Sequence, residues 1–419
     1  MPRILLTTFG SLGDLHPYIA VGRALRAQGA GVRIATSADY RAAIEAADLE
    51  FTAVPPALAD LGNAEELGRQ LFDPLRGIER MVRGIVMPNI RAAHAVLMEA
   101  AADCDLLVSH QLTFMAPVVA TQQRKPWLSS ILAPASLLSR FDPPVLVPVN
   151  SLQIAQRVGP WLYDWTRSFI GRTARRWEAP LHAFRQELGL PATAQTLLFE
   201  GQFSPCGTLG LFDAMLAAPQ SDWPEHMSVC GAALYDGAAA DPATLQELQR
   251  FLAAGEPPLV FVLGSAAVWI AQDFWPQAIE AARRLRRRAL LVTGEANLPA
   301  LPDGIRAFKY LPYSAVFPHA AVVVHQAGIG TLSQALRAGR PQLITPVGFD
   351  QPDNAARAVK LGLARTLPFQ KVTAGRLVRE LMPLLATPSY EAAARRTATT
   401  LAGVDGAAVA ARKVIEALG

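Results

Sequence analysis

Short apolar runs alternate with amphipathic stretches along most of this chain. "RILLTTF" (Arg3–Phe9) gives way to "PYIAVGRALRAQG", whose apolar positions recur at helical spacing, and then to "GVRIATS". A helix from about Asp39, then "EFTAVP", "DLLVSH", "MAPVVATQQ" and "PWLSSILAP", continue the alternation. Strands separated by helices of about ten or more residues imply right-handed βαβ crossovers and a parallel sheet.

Prolines break the pattern at "RFDPPVLVPVN" (Arg140–Asn150). The next segment, "PWLYDWTRSFIGRTARRWEAPLHAFRQEL", interleaves Trp161, Tyr163, Trp165, Phe169 and Trp177 with Arg167, Arg172, Arg175 and Arg176. It reads either as an insertion with its aromatics packed and its arginines solvated, or as a lipid-facing helix. A hinge rich in Ala, Pro and Gly, "APQSDWPEHMSVCGAALYDGAAADP", precedes a second alternation: "PPLVFVLGSAA", a helix ending in "RRLRRR", "ALLVTG", "IRAFKYLP", "AAVVVHQAG" and "PQLITP". The arginine run reads as a solvated helix end.

The expected fold is α/β, with two Rossmann-like doubly wound parallel-sheet domains facing each other across a cleft. The pattern assigns residues 1–222 to the first domain and 223–400 to the second. A C-terminal helix over 401–419 is free to pack back toward the first.

Composition narrows the class. A chain of 419 residues exceeds one ordinary domain, and 51% hydrophobic with 18% charged residues supplies two cores. The three cysteines, Cys104, Cys206 and Cys230, form neither a metal-ligand cluster nor a disulfide framework, so a reducing, cytoplasmic setting is expected. The start lacks the features of a signal peptide, and no apolar window reaches the length of a membrane span. A net charge of +4 is too mild for nucleic acid but suits an anionic ligand or an acidic lipid surface, leaving room for peripheral contact at the inner face of a membrane.

Two stretches carry candidate chemistry. In "TTFGSLGDLHP" a strand runs into a glycine-containing turn and a helix, with Asp14 and His16 two residues apart at its mouth. In "AAVVVHQAGIGTLSQALRAGRPQLITPVGFDQPDNAARAVKLG" a strand ends at His325 and runs through Gly328 and Gly330 into a helix carrying Thr331. Glycines there let backbone N–H groups approach a phosphate, and the helix dipole favours its charge. The next strand opens on Asp350 and Gln351, an acceptor and an amide suited to vicinal hydroxyls, although Asp350 also reads as a helix N-cap. A phosphate cradle and a hydroxyl reader one strand apart describe a sugar-nucleotide site.

This segment resembles the donor signature of family 1 nucleotide-sugar glycosyltransferases, which share the GT-B fold. Across nearly the whole sequence, "GSLGD", "DPPV", "QSDWP" and "DQPDNA" resemble the lipid-directed rhamnosyltransferases of bacteria. The resemblance implies that His325, Gly330 and Thr331 contact the donor diphosphate, and that Asp350 and Gln351 contact its sugar. Asn354 follows in the matching "DQxxNA" pattern, and Ser265 of "GSAAV" is implied to reach the phosphates. Tyr310 of "KYLPY" takes the place of the aromatic that stacks on the nucleobase. Tyr313 replaces the family's usual glutamine, and Ala327 a usual glycine.

The family carries its catalytic base in the first loop. There Asp14 occupies the position three residues before Pro17, with His16 as the competitor, while Ser11 and Gly13 are expected to help position the donor. The implied activity is an inverting, metal-independent transfer of a sugar, such as rhamnose from a dTDP donor, to a hydroxyl of an apolar or lipid acceptor, with no cofactor. A UDP-hexose donor with a sterol or polyketide acceptor is the alternative. A nucleotide-sugar 2-epimerase and a non-catalytic binding subunit are further ones. The acceptor is expected in a greasy channel formed by "RMVRGIVMPNIRAAHAVLMEA" and the Pro160–Trp177 segment, ending at Asp14.

Overall fold

In the computed structural model, described for all residues except 74–75, 146–150, 238–239 and 265–272, the protein divides into two compact units. The first comprises Met1–Tyr235 together with Asp405–Gly419, and the second Asp236–Val404.

The first unit is built on a seven-stranded parallel sheet. Its strands are β1 (Arg3–Thr7), β2 (Gly31–Thr36), β3 (Glu50–Ala53), β4 (Leu106–His110), β5 (Trp127–Ile131), β6 (Thr208–Gly210) and β7 (Met227–Val229). They lie in the order β3-β2-β1-β4-β5-β6-β7. The central strands are buried throughout, as expected of a parallel sheet covered by helices on both faces. The sheet takes in β7, so the units part at Tyr235/Asp236 rather than at 222/223. The last helix, Gly406–Glu416, packs on the first, Leu12–Ala27. Gly406 permits this join: a Cβ there would stand 2.3 Å from the Gly231 carbonyl oxygen.

The second unit repeats the plan with β8 (Leu259–Val262), β9 (Ala289–Val292), β10 (Ile305–Phe308), β11 (Val322–His325), β12 (Gln342–Ile344) and β13 (Ala364–Thr366). Their order is β10-β9-β8-β11-β12-β13, all parallel. The arginine run lies only partly in a helix. That helix stops at Arg284, Arg283 and Arg284 both pair with Glu280, and Arg288 lies over the Phe251 ring. Strand order reverses between β1 and β4 in one sheet and between β8 and β11 in the other. Ligands of open α/β sheets bind outside the carboxyl ends of the strands at such points.

Candidate active site

At the first reversal point β1 runs through Thr8 and Phe9 into the helix that starts at Leu12. The helix begins before "PYIAV", so Asp14 and His16 lie in its first turns rather than in a loop. Ser11 is the N-cap. Its hydroxyl accepts the Gly13 N–H at 3.2 Å, and its own N–H donates to Asp14 Oδ2 at 2.7 Å. This reciprocal cap fixes the Asp14 carboxylate. It also uses the polar groups of Ser11 and Gly13, which the sequence pattern had pointed toward the donor.

Gly10 has φ +137°, and a Cβ there would lie 2.2 Å from Asp14 Oδ2. Only glycine leaves the carboxylate its place.

The other carboxylate oxygen, Oδ1, faces His110 Nε2 at 3.6 Å. His110 ends β4 and is buried, and its Nδ1 accepts the Leu112 N–H at 3.4 Å. The proton of the neutral ring therefore sits on Nε2, which is buried without a hydrogen-bond partner. Burial pushes the imidazole pKa down, with the Asp14 charge acting in the opposite sense. The result is a neutral imidazole beside the carboxylate. "DLLVSH" is legible as a strand, but nothing in its pattern alone marks this histidine as functional. Its place at the end of the strand next to β1, at the reversal point, is the available signal.

His16 has a different setting. Its ring meets Tyr235 edge-on at 5.3 Å, and Arg23 lies 6.0 Å from the centre of the same tyrosine ring. Asp14, by contrast, faces the strand-end histidine His110.

Beside Asp14 lies an apolar hollow whose empty space, about 470 Å³, includes open solvent; it is lined by Thr8, Phe9, Val86, Ile90, Leu112 and Phe114, among others. The Thr8 hydroxyl donates to the Asp14 carbonyl at 3.1 Å, tying the cavity wall to that turn. The wall includes the helix Met87–Ala101 and the π-helical stretch Met81–Val86 that leads into it, and such wide turns recur at functional sites. From this stretch Val86, Asn89, Ile90, Ala93 and Leu97 line the hollow. The Pro160–Trp177 segment contributes no lining residue: Tyr163 and Ala174 face the core, while Trp161, Trp165 and Phe169 face solvent.

In the second unit, β11 leads through Ala327, with φ +63°, to the N-cap Gly328 of the helix Ile329–Ala338. Among the described residues no side chain caps this helix, and a Cβ at Gly328 or Gly330 would meet nothing within 4 Å. Open space before uncapped N–H groups suits a phosphate. Thr331, in the first turn, is hydrogen-bonded to Tyr313, whose ring stacks on Phe317 at 4.6 Å.

His325 departs from expectation. Its ring is fully buried, Nδ1 accepts the Ala327 N–H at 3.0 Å, and Nε2 lies 2.9 Å from Gln342 Oε1. Both nitrogens are engaged, and burial lowers the pKa to about 4 against the opposing Gln342 bond. In this arrangement the ring shapes the turn rather than presenting a donor to phosphate. Its neighbour Gln326 carries no signal in the sequence pattern. Gln326 Oε1 accepts the Gly264 N–H at 3.1 Å, bridging the ends of β8 and β11, and its buried Nε2 has no partner among the described residues.

Asp350 and Asn354 stand together, with Asn354 Nδ2 donating to Asp350 Oδ2 at 2.6 Å and to the Ala327 carbonyl at 2.9 Å. Gln351 Oε1 accepts the Val347 N–H at 2.8 Å. Asn354 ties the 327 turn to the helix Gln351–Lys360, and Gln351 fastens the loop before that helix. The Tyr310 hydroxyl donates to the Asp236 carbonyl, leaving the ring 42% exposed. Ser265 lies outside the described residues. Among the described residues no group of three His, Cys, Asp or Glu is placed to hold a metal ion, and no helix is long and apolar enough to cross a membrane.

Comparison with known proteins fits both halves of this geometry. Residues 4–123 match the glycosyltransferase family 28 N-terminal domain, and residues 289–416 match the C-terminal domain of erythromycin biosynthesis protein CIII-like proteins. The chain is 31% identical to O-mycaminosyltylonolide 6-deoxyallosyltransferase of Streptomyces fradiae, over 97% of this chain and 96% of that one. The chain is a family 1 glycosyltransferase with the GT-B fold. Vancomycin aglycone glucosyltransferase of Amycolatopsis orientalis is 29% identical to this glycosyltransferase, over 99% of this chain and 98% of that one. The spinosyn rhamnosyltransferase SpnG, solved with thymidine diphosphate, shares the fold with a TM-score of 0.70 at 20% identity, over 99% of this chain and all of that one. Family membership sets aside the epimerase and the non-catalytic subunit.

Proposed function

We propose that this glycosyltransferase moves a 6-deoxysugar, with rhamnose the first candidate, from a thymidine diphosphate donor to a hydroxyl of an apolar acceptor, with inversion and without a metal. The observation that carries the reading is the Asp14–His110 pair beside an apolar cavity at the strand-order reversal of the first unit.

In the proposed reaction the acceptor oxygen attacks the anomeric carbon and the bond from that carbon to the diphosphate oxygen breaks. The hydroxyl proton passes to the Asp14 carboxylate. His110, with its proton on Nε2, turns a neutral N–H toward the carboxylate, placed to close on it when the acceptor binds. The uncapped N–H groups at Gly328–Thr331 stabilise the charge that develops on the leaving diphosphate. Asp350 and Gln351 read the sugar hydroxyls, and Tyr310 offers a face to the base.

The 6-deoxysugar in the name of the Streptomyces relative and the thymidine diphosphate in the SpnG complex support this donor class. A UDP-hexose donor is the second reading, favoured by the glucosyl transfer in the name of the Amycolatopsis relative. Incubation with dTDP- and UDP-sugars and a panel of macrolactone, polyketide and hydroxyacyl acceptors, with products read by mass, tests both. Product from dTDP-deoxysugars supports the first, and product from UDP-hexoses alone supports the second.

A further inference from the structure

The helix Pro160–Trp177 packs Tyr163 and Trp177 inward but turns three large apolar side chains into water. Trp161, Trp165 and Phe169 are 68%, 57% and 54% exposed, and the Trp165 and Phe169 rings stack at 5.8 Å. Their spacing of four places them on one side of the helix. Arg172 and Arg176 continue the same side toward the C-terminal end. Ile154 and Val158, also more than half exposed, extend the apolar surface onto the preceding helix Ser151–Val158, which carries Arg157.

Inward-facing residues fix the ridge. Tyr163 is buried and its hydroxyl donates to the Leu138 carbonyl at 2.5 Å, while Arg167 pairs with Glu200 and Arg175 donates to the Gln195 carbonyl. Folding therefore has inward uses for this helix and still leaves the Trp–Trp–Phe ridge uncovered. None of these residues lines the acceptor cavity.

Charge selects the occupant. The two helices carry five arginines and one aspartate, and Asp164 is matched with Arg140 at 3.7 Å. Arg157, Arg172 and Arg176 are exposed and make no hydrogen bond or ion pair among the described residues. An aromatic ridge bounded at both ends by unpaired arginines fits the boundary of an anionic bilayer. Rings can enter the acyl region while the guanidinium groups reach lipid phosphates. A protein partner would be expected to face the ridge with a rim of mixed charge.

We propose that this ridge is a peripheral docking surface for anionic membrane. The inference stands apart from the acceptor reading, because its test measures binding and not transfer.

The full-length protein is floated with vesicles of phosphatidylcholine alone and of phosphatidylcholine and phosphatidylglycerol in equal parts. The expected result is recovery with the anionic vesicles only, weakened by added salt. The triple variant Trp161→Ser, Trp165→Ser, Phe169→Ser should lose recovery while keeping its thermal unfolding profile. Replacing Arg157, Arg172 and Arg176 by Gln should weaken partitioning by about fivefold per arginine. Failure to float with anionic vesicles overturns the proposal, as does undiminished flotation of the aromatic variant. A dimer in sedimentation velocity that the aromatic variant abolishes would assign the ridge to a second copy and also overturn it.

Discussion

The carboxylate of Asp14 stands between two groups: the Ser11 N–H donates to one oxygen at 2.7 Å, and His110 Nε2 faces the other at 3.6 Å. If His110 positions Asp14, removing its ring should slow transfer without touching the donor. His110→Ala is expected to lower kcat by about tenfold to a hundredfold with little change in donor affinity. Burial holds the imidazole pKa below its ordinary value, so any effect of charging the ring falls on the acid limb of the kcat profile and should vanish in the variant. Donor titration together with a pH–rate profile checks both. An unchanged profile with normal turnover would reduce His110 to a packing residue.

Gly10 makes a sharper demand. Its φ of +137° and the 2.2 Å approach of a built Cβ to Asp14 Oδ2 mean that Gly10→Ala must push the carboxylate aside. Turnover should fall by about a hundredfold or more, and stability by about 1–3 kcal/mol from the strained backbone. Steady-state rates and thermal unfolding measure the two effects separately.

The cavity predicts a graded response to acceptor size. Burying each additional methylene is worth about 0.8 kcal/mol, so acceptor KM should fall about fourfold per carbon until the space is filled. Ala93→Trp, which places an indole in the wall, should raise acceptor KM by about tenfold or more and spare donor affinity. A homologous series of alkyl alcohols run on both proteins checks this. A flat series would show that the acceptor sits elsewhere.

Stability should depend on pH through His325. Its folded pKa of about 4 lies below the ordinary histidine value of about 6.5, so its contribution is complete above pH 6.5 and is lost as pH falls toward 4. The loss amounts to about 3 kcal/mol. His325→Gln, which cannot titrate, should be less stable at neutral pH but show a flatter stability curve between those limits. Urea titrations at a series of pH values supply the comparison.

Much of this arrangement is legible in the sequence. The alternation of apolar runs and helical stretches gives both parallel sheets, and "GSLGD" and "HQAGIG" mark the two reversal points. Less accessible is how individual side chains are used. The reading of His325 as a phosphate contact rests on its place at a strand tip, whereas its two nitrogens are taken by Ala327 and Gln342, one two residues along and one on the neighbouring strand. His110 lies 96 residues from Asp14 and meets it only because β4 pairs with β1. The aromatic and basic content of Pro160–Trp177 is plain, but Tyr163 and Ala174, not the exposed Trp161 and Trp165, anchor the helix to the core.

The central claim is that Asp14 takes the proton of the acceptor hydroxyl. Asp14→Asn preserves the side-chain shape and removes the basic carboxylate, so donor affinity and turnover measured side by side test the claim directly. Calorimetry with thymidine diphosphate should give a dissociation constant within about twofold of wild type, while initial rates of product formation fall by about 10²–10⁴-fold. Turnover near the wild-type rate in this variant would contradict the account.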